Sequence, residues 1–194
     1  MIRSKISEIL EKIDLLKKDL YKEYESLKDK YHFKIIGKKV LFTKEEAKKQ
    51  KKYIKEWFFY YIITASFRNI VSAPFIYIMI IPAVILDIFL IIYQFTAFPL
   101  YKIERVKRSE HFIYDRRFLK YLNVLQKINC LYCSYVNWLF SYAAEVWWRT
   151  EKYWCPIKHA LKNENEHKYY KDYADYWDAE EFNKLFFTDS CFKK

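Results

Sequence analysis

The chain has 194 residues, room for one globular domain or for a small domain with a membrane segment. Its hydrophobic fraction of 53% and aromatic fraction of 21% exclude extensive disorder, and a single glycine argues against an all-β fold built on many tight turns. The formal net charge of +11 leaves two readings, a solvated surface or an attraction to the phosphates of anionic lipid or nucleic acid. The position of the basic residues decides between them. The chain starts with a charged first turn and shows no apolar leader core, and its four cysteines lack the spacing of a secreted disulfide framework. Reduced thiols are therefore expected.

Residues 4 to 31 read as an amphipathic helix. Ile6, Ile13, Leu20 and Leu27 recur every seven residues, with Ile9 and Leu16 at the second seam position and Glu23 breaking it. The pattern predicts a short coiled-coil seam or one arm of a helical hairpin. "FKIIGKKVLF" (33 to 42) places β-branched and aromatic residues around Gly37, and predicts a small hairpin or an extended connection. Thr43 followed by Glu46 is a capping box that starts a second, basic helix near Lys44. That helix turns abruptly apolar at "WFFYYIITASF".

From Ile70 to Leu100 the chain reads "IVSAPFIYIMIIPAVILDIFLIIYQFTAFPL", with Asp87 as its one charged residue. About 20 helical residues cross a hydrocarbon core, and this run is long enough and apolar on every face. A membrane-embedded helix is predicted, kinked by Pro82, with Tyr77, Tyr93 and Tyr101 suited to an interfacial belt. Asp87 in such a run must pair, be protonated or face protein. The basic clusters "KKQKKYIK" (48 to 55) and "KIERVKR" (102 to 108) flank the segment, which favours lipid over nucleic acid. The closer cluster follows the segment, so the positive-inside rule puts the C-terminal part in the cytoplasm; a re-entrant helix with both ends cytoplasmic is also compatible. Three regions are expected: 1 to 69, helical with a basic flank; 70 to 101, embedded; 102 to 194, a cytoplasmic helical region. Residues 161 to 194 read as a peripheral helix or a loosely docked tail.

"NCLYCSYVNWLFSYAAEVWWRTEKYWCPIKHA" (129 to 160) carries the candidate chemistry. Cys130 and Cys133 lie three apart, on one face of a helix. Pro156 favours a helix starting after Cys155, which would put His159 on the same side as Cys155. Together they make a Cys3His set of the kind that holds structural zinc, with iron or an iron–sulfur cluster as the alternative. A thiol–disulfide role for the CxxC, or plain burial of small thiols, remains open. One unbroken helix from 133 to 155 would separate the two pairs by about 33 Å. The set therefore requires a fold-back, at Asn137 or Thr150, or two chains that share the site. Glu145, Glu151, Asp115 and His111 are candidates for a carboxylate–histidine site, without the paired Glu-x-x-His motif of helical di-iron proteins.

The blocks "SAPFIY" (72 to 77), Asp115–Arg116, "YLN" (121 to 123), "NCLYCSYVN" (129 to 137), "RTEKYWCPIKHA" (149 to 160) and "HKYYKDYADYWDAEEF" (167 to 182) give the chain a resemblance to a family of uncharacterised bacterial membrane proteins. The resemblance runs from about Phe67 to Phe182. It implies a bacterial membrane protein with a Cys/His motif, and brings no activity; the localisation expected for it is the inner membrane. The chain departs from that pattern at Lys102, Trp138 and Trp177, where glycine is expected, and at Trp147 and Trp148, where small residues are.

The combined expectation is an all-α, membrane-anchored protein. It has an N-terminal amphipathic, coiled-coil-like helix and a C-terminal helical hairpin closed by Cys130, Cys133, Cys155 and His159. Its expected role is that of a scaffold or partner-binding module, on a lipid bilayer and with a membrane protein or a second copy as partner. The alternative is an iron- or thiol-dependent membrane oxidoreductase.

Overall fold

The computed structural model describes residues 5–54, 66–161 and 166–189. The fold is mostly helical. The elements are α1 (Lys5–Lys30), β1 (Phe33–Ile36), β2 (Lys39–Phe42), α2 (Lys44–Lys51), α3 (Phe67–Ile78), α4 (Ile80–Leu100), the one-turn α5 (Arg108–His111), α6 (Val124–Trp154) and α7 (Ala179–Asp189), with 3-10 turns at Asp115–Phe118 and Tyr170–Asp172. The apolar stretch 57 to 63 and Cys191 lie outside the described residues.

The chain forms two compact units. One takes Glu25–Leu90 and Lys107–Tyr142, the other Met1–Tyr24, Ile91–Val106 and Ala143–Lys194, so α1, α4 and α6 each contribute to both. In the first unit, β1 and β2 form an antiparallel hairpin with Ile36 opposite Lys39. Its two-residue loop starts at Gly37, whose φ of +60° costs a glycine little. Thr43 caps α2 as its sequence predicts, its hydroxyl accepting from the Glu46 N–H at 3.3 Å. Lys38 reaches the Phe112 carbonyl at 3.3 Å.

The apolar segment breaks between α3 and α4 at Met79. Pro82 has no N–H to give the Ile78 carbonyl, and the Met79 N–H turns to Ile76 instead, at 3.3 Å. The interruption falls one turn before Pro82, the residue expected to disturb the helix. On α4, Ala83, Asp87, Leu90, Gln94 and Phe98 are buried, while Ile81, Ile85, Ile88, Ile92 and Phe95 are exposed. A sequence that is apolar all round thus has two opposite faces, one against protein and one bare.

Helix α6 starts from a reciprocal capping box. Asn123 Oδ1 accepts from the Gln126 N–H at 2.8 Å, and Gln126 Oε1 accepts from the Asn123 N–H at 3.0 Å. It then runs unbroken to Trp154. The expected hairpin, with a break at Asn137 or Thr150, is not formed. No glycine or proline interrupts residues 124 to 154, and Trp138 stands where a glycine would have eased a turn. The helix stops at Cys155 because Pro156 disfavours helical geometry in the residue before it.

In the second unit, α4 ends in a Schellman motif. The Ile103 N–H bonds the Phe98 carbonyl at 2.9 Å and the Lys102 N–H bonds Pro99 at 3.2 Å. Lys102 occupies the left-handed position with φ +55°, where glycine is the usual residue. Tyr170, Tyr173 and Ala174 are buried, so this part of the C-terminal region is a docked element and not a loose tail. On α1 the seam residues Ile9, Leu16 and Leu20 are exposed.

Candidate functional site

Cys130 and Cys133 both lie on α6, the first half-buried and the second exposed. Cys155 is exposed, its N–H bonded to the Glu151 carbonyl at 2.7 Å. The segment after it is not the short helix expected from Pro156. It is extended and pairs with Ala174: the Lys158 N–H donates to Ala174 O at 2.8 Å, and the Ala174 N–H to Pro156 O at 2.9 Å. The i, i+4 geometry that would put His159 beside Cys155 is therefore absent. The His159 backbone N–H instead donates to the Tyr170 hydroxyl at 2.7 Å, and its ring stacks on Tyr170. Among the described residues, no group of three or more His, Cys, Asp or Glu side chains is placed to hold a metal ion.

Polar chemistry gathers elsewhere, at two buried carboxylates. The first is Asp87, 8% exposed on the protein-facing side of α4. Arg108, from the N-terminus of α5, takes both carboxylate oxygens, with Nη2 to Oδ2 at 2.9 Å and Nη1 to Oδ1. The Tyr135 hydroxyl on α6 donates to Oδ2 at 3.0 Å. The guanidinium lies over the rings of Phe112, at 4.4 Å, and Tyr142, at 5.3 Å. Hydrogen bonding to Asp87 holds the Arg108 pKa above its ordinary value. Burial, and then the hydrogen bond to Asp87, push the Tyr135 phenol up to about 12. Neither an arginine nor so weak a phenol can exchange protons near neutrality. The arrangement is a bidentate lock, not an acid–base pair.

The second carboxylate is Glu145 on α6, 3% exposed. It accepts from Arg149 Nε at 2.9 Å, Lys168 Nζ at 2.8 Å and the Tyr169 hydroxyl at 2.8 Å. Burial pushes its pKa up, but the bonds from Lys168, Tyr169 and Arg149 outweigh burial and hold it below the ordinary value. Arg149 also donates to the Glu104 carbonyl at 2.6 Å. Nearly two turns further along α6, Glu151 meets His167 at 3.1 Å. The His167 ring stacks on Trp148 with centroids 5.2 Å apart, and Tyr173 presents its edge at 5.3 Å. Burial lowers the His167 pKa, against the opposing pull of Glu151.

The carboxylate–histidine candidates are thus realised only in part. Glu151 has a histidine partner, but it is His167, and His111 pairs with Ser141 at 3.1 Å. His167 was not singled out in the sequence. The signal was its place at the head of "HKYYKDYADYWDAEEF", a segment too aromatic for a solvated tail. The expected tyrosine belt is also engaged with protein. Tyr77 donates to Asn129, Tyr93 shares a hydrogen bond with Thr150 at 3.1 Å and stacks on Trp147, and Tyr101 packs against Tyr153 and Trp154.

No protein-family model, no curated protein and no solved structure matches the chain. The resemblance read from the cysteine blocks therefore gains no second support, and function has to be argued from the geometry.

Proposed function

We propose that the protein is a membrane-attached helical scaffold, a module that holds a folded polar face at a bilayer surface for a membrane protein or a second copy of itself to bind. The supporting observation is the segment Phe67–Leu100, long and apolar enough to cross a membrane, whose most apolar window is only 17% buried. The core helix of a soluble protein of this apolarity would be covered on most sides. The locked Asp87–Arg108 pair fits an anchor joined rigidly to the polar part of its unit, and not a catalytic centre. The flanking basic residues favour the cytoplasmic side of a bacterial inner membrane for the C-terminal region.

Membrane fractionation tests this reading. Full-length protein should remain with membranes through an alkaline carbonate wash, and deletion of 74 to 98 should release it. Monomeric full-length protein in detergent-free buffer would refute it.

The exposure of Cys133 and Cys155 keeps a second reading in play. Because α6 does not fold back, zinc, or iron in the oxidoreductase variant, on Cys130, Cys133, Cys155 and His159 requires donors from two copies. Elemental analysis of purified dimer checks it. Metal lost together with the dimer in Cys133→Ser would support it, and metal-free dimer would end it.

A further inference from the structure

The same apolar segment carries protein along its length, and this bears on how a bilayer could hold it. Near the middle of the segment, Tyr77 pairs with the Asn129 side chain, and the Tyr132 hydroxyl donates to the Ile76 carbonyl at 2.6 Å. At Asp87 the partner is Arg108, flanked by Lys107 and Glu110, whose side chains are 68% and 62% exposed. Further on, the guanidinium of Arg105 lies 4.6 Å from the centre of the Phe95 ring, and the Gln94 side chain accepts from the Val106 N–H at 2.6 Å. Counted as continuous helix, the rise from Tyr77 to Phe95 would be at most about 27 Å, within the ~30 Å thickness of a hydrocarbon core. A helix standing upright in the bilayer must put one or more of these levels in hydrocarbon. If Phe67–Leu86 filled the core, Asn129 would lie near its middle. If Ile80–Leu100 filled it, Arg105, Arg108 and the exposed Lys107 and Glu110 would lie inside, where each charge is costly.

An orientation in the membrane plane removes the conflict. The exposed residues Ile81, Ile85, Ile88, Ile92 and Phe95 follow the 4, 3, 4, 3 spacing of a single helix face. Asp87 and Gln94 belong to the opposite face, where Arg108 and the Val106 N–H meet them. Arg105 sits at the rim, with its guanidinium on the ring of exposed Phe95, the position of a side chain that keeps an apolar contact while its charge meets headgroups. The chain's charge of +11 complements an anionic surface. We infer that α4 lies flat in one leaflet of an anionic bilayer, its Ile81–Phe95 face immersed and its Asp87–Gln94 face toward the polar protein, so that the protein attaches from one side and does not cross. This deepens the membrane reading above and rests on it.

Depth-dependent quenching tests it independently of the direction of insertion. Full-length protein in which each native cysteine is replaced by serine would carry one cysteine at a time, from Ile81→Cys, Ile88→Cys or Phe95→Cys, labelled with an environment-sensitive fluorophore. The labelled proteins would be reconstituted into phosphatidylglycerol–phosphatidylcholine vesicles holding shallow or deep lipid quenchers. The expected result is the same shallow-to-deep quenching ratio at all three positions. A ratio that changes steeply from Ile81 to Phe95, or falls to a minimum at Ile88, shows a helix running through the bilayer, and overturns the inference while leaving membrane attachment intact. Absence of lipid quenching at all three positions overturns the membrane reading itself.

Discussion

The two units each bury a carboxylate with an arginine and a tyrosine, yet they satisfy it differently. Asp87 depends on one cation, Arg108, brought from a separate helix and held in bidentate contact. Glu145 is shared by Arg149, one turn along its own helix, and by Lys168 and Tyr169 from the C-terminal segment. The first arrangement is a single latch and the second has redundancy. Leaving a buried charge without its only cation costs far more than a salt bridge contributes over a well-packed apolar replacement. The comparison therefore assigns Asp87–Arg108 the joining of α4 to α5, and Glu145 the docking of a segment that retains contacts when one is lost.

Breaking the latch should have the largest effect. Arg108→Met leaves Asp87 with the Tyr135 hydroxyl and no cation, and should destabilise the protein by about 3 kcal/mol, the lower end for a broken buried pair because the arginine is partly exposed. The Asp87→Leu, Arg108→Met double variant should recover most of that loss. Chemical unfolding in detergent micelles reads both. A double variant no better than the single one would show that the pair does more than neutralise one buried charge.

The redundant cluster should give way less. Arg149→Met leaves Glu145 with Lys168 and Tyr169 and should cost about 1–2 kcal/mol in the same measurement. A loss as large as that of Arg108→Met would erase the distinction between the units.

A smaller change, of opposite sign, is expected at Lys102. Its left-handed backbone costs a non-glycine residue about 1 kcal/mol, so Lys102→Gly should stabilise the protein by about that amount, less the added flexibility of glycine in the unfolded chain. Unchanged or lowered stability would mean that the lysine side chain compensates for the strain.

The subtlest expectation is a pH slope contributed by the Glu145 unit. Burial lowers the folded pKa of His167 below 6.5, so the unfolded chain binds the proton first and stability falls as the pH drops below 6.5. Glu145, held below 4.5 by its donors against the opposing effect of burial, adds a second loss as the pH falls through its folded pKa. His167→Phe should remove the upper phase and leave the lower. Unfolding free energy measured across this range checks it, and an unchanged upper phase would assign that slope to another group.

Much of the architecture was legible in local sequence. The heptad apolar residues marked α1, Thr43 and Glu46 marked the start of α2, and Gly37 marked the hairpin loop. The length and apolarity of 70 to 100, with Pro82 inside, marked a long helical segment with an interruption. Each signal is a property of a few neighbouring residues, and backbone sterics or hydrogen-bond supply acts over the same short range. The need of Asp87 for a polar partner was also readable, because a lone carboxylate in an apolar run is costly wherever the run ends up.

The identity of the partners was not readable, and there the tertiary structure decided. Nothing near Asp87 in sequence names Arg108 or Tyr135, and nothing near Glu151 names His167. The cysteine motif meets the same limit, because the residues between Cys133 and Cys155 determine whether its two halves can meet. Helix continuity through 124 to 154 is cooperative, one hydrogen bond gained per residue fixed, and no glycine or proline offered an exit. The uniform apolarity of 80 to 100 likewise could not say which face would be covered. Only the packing of the following segment against Asp87 and Gln94 split that helix into a protein face and a bare one, because sidedness in an apolar helix is set by what docks on it and not by its own composition.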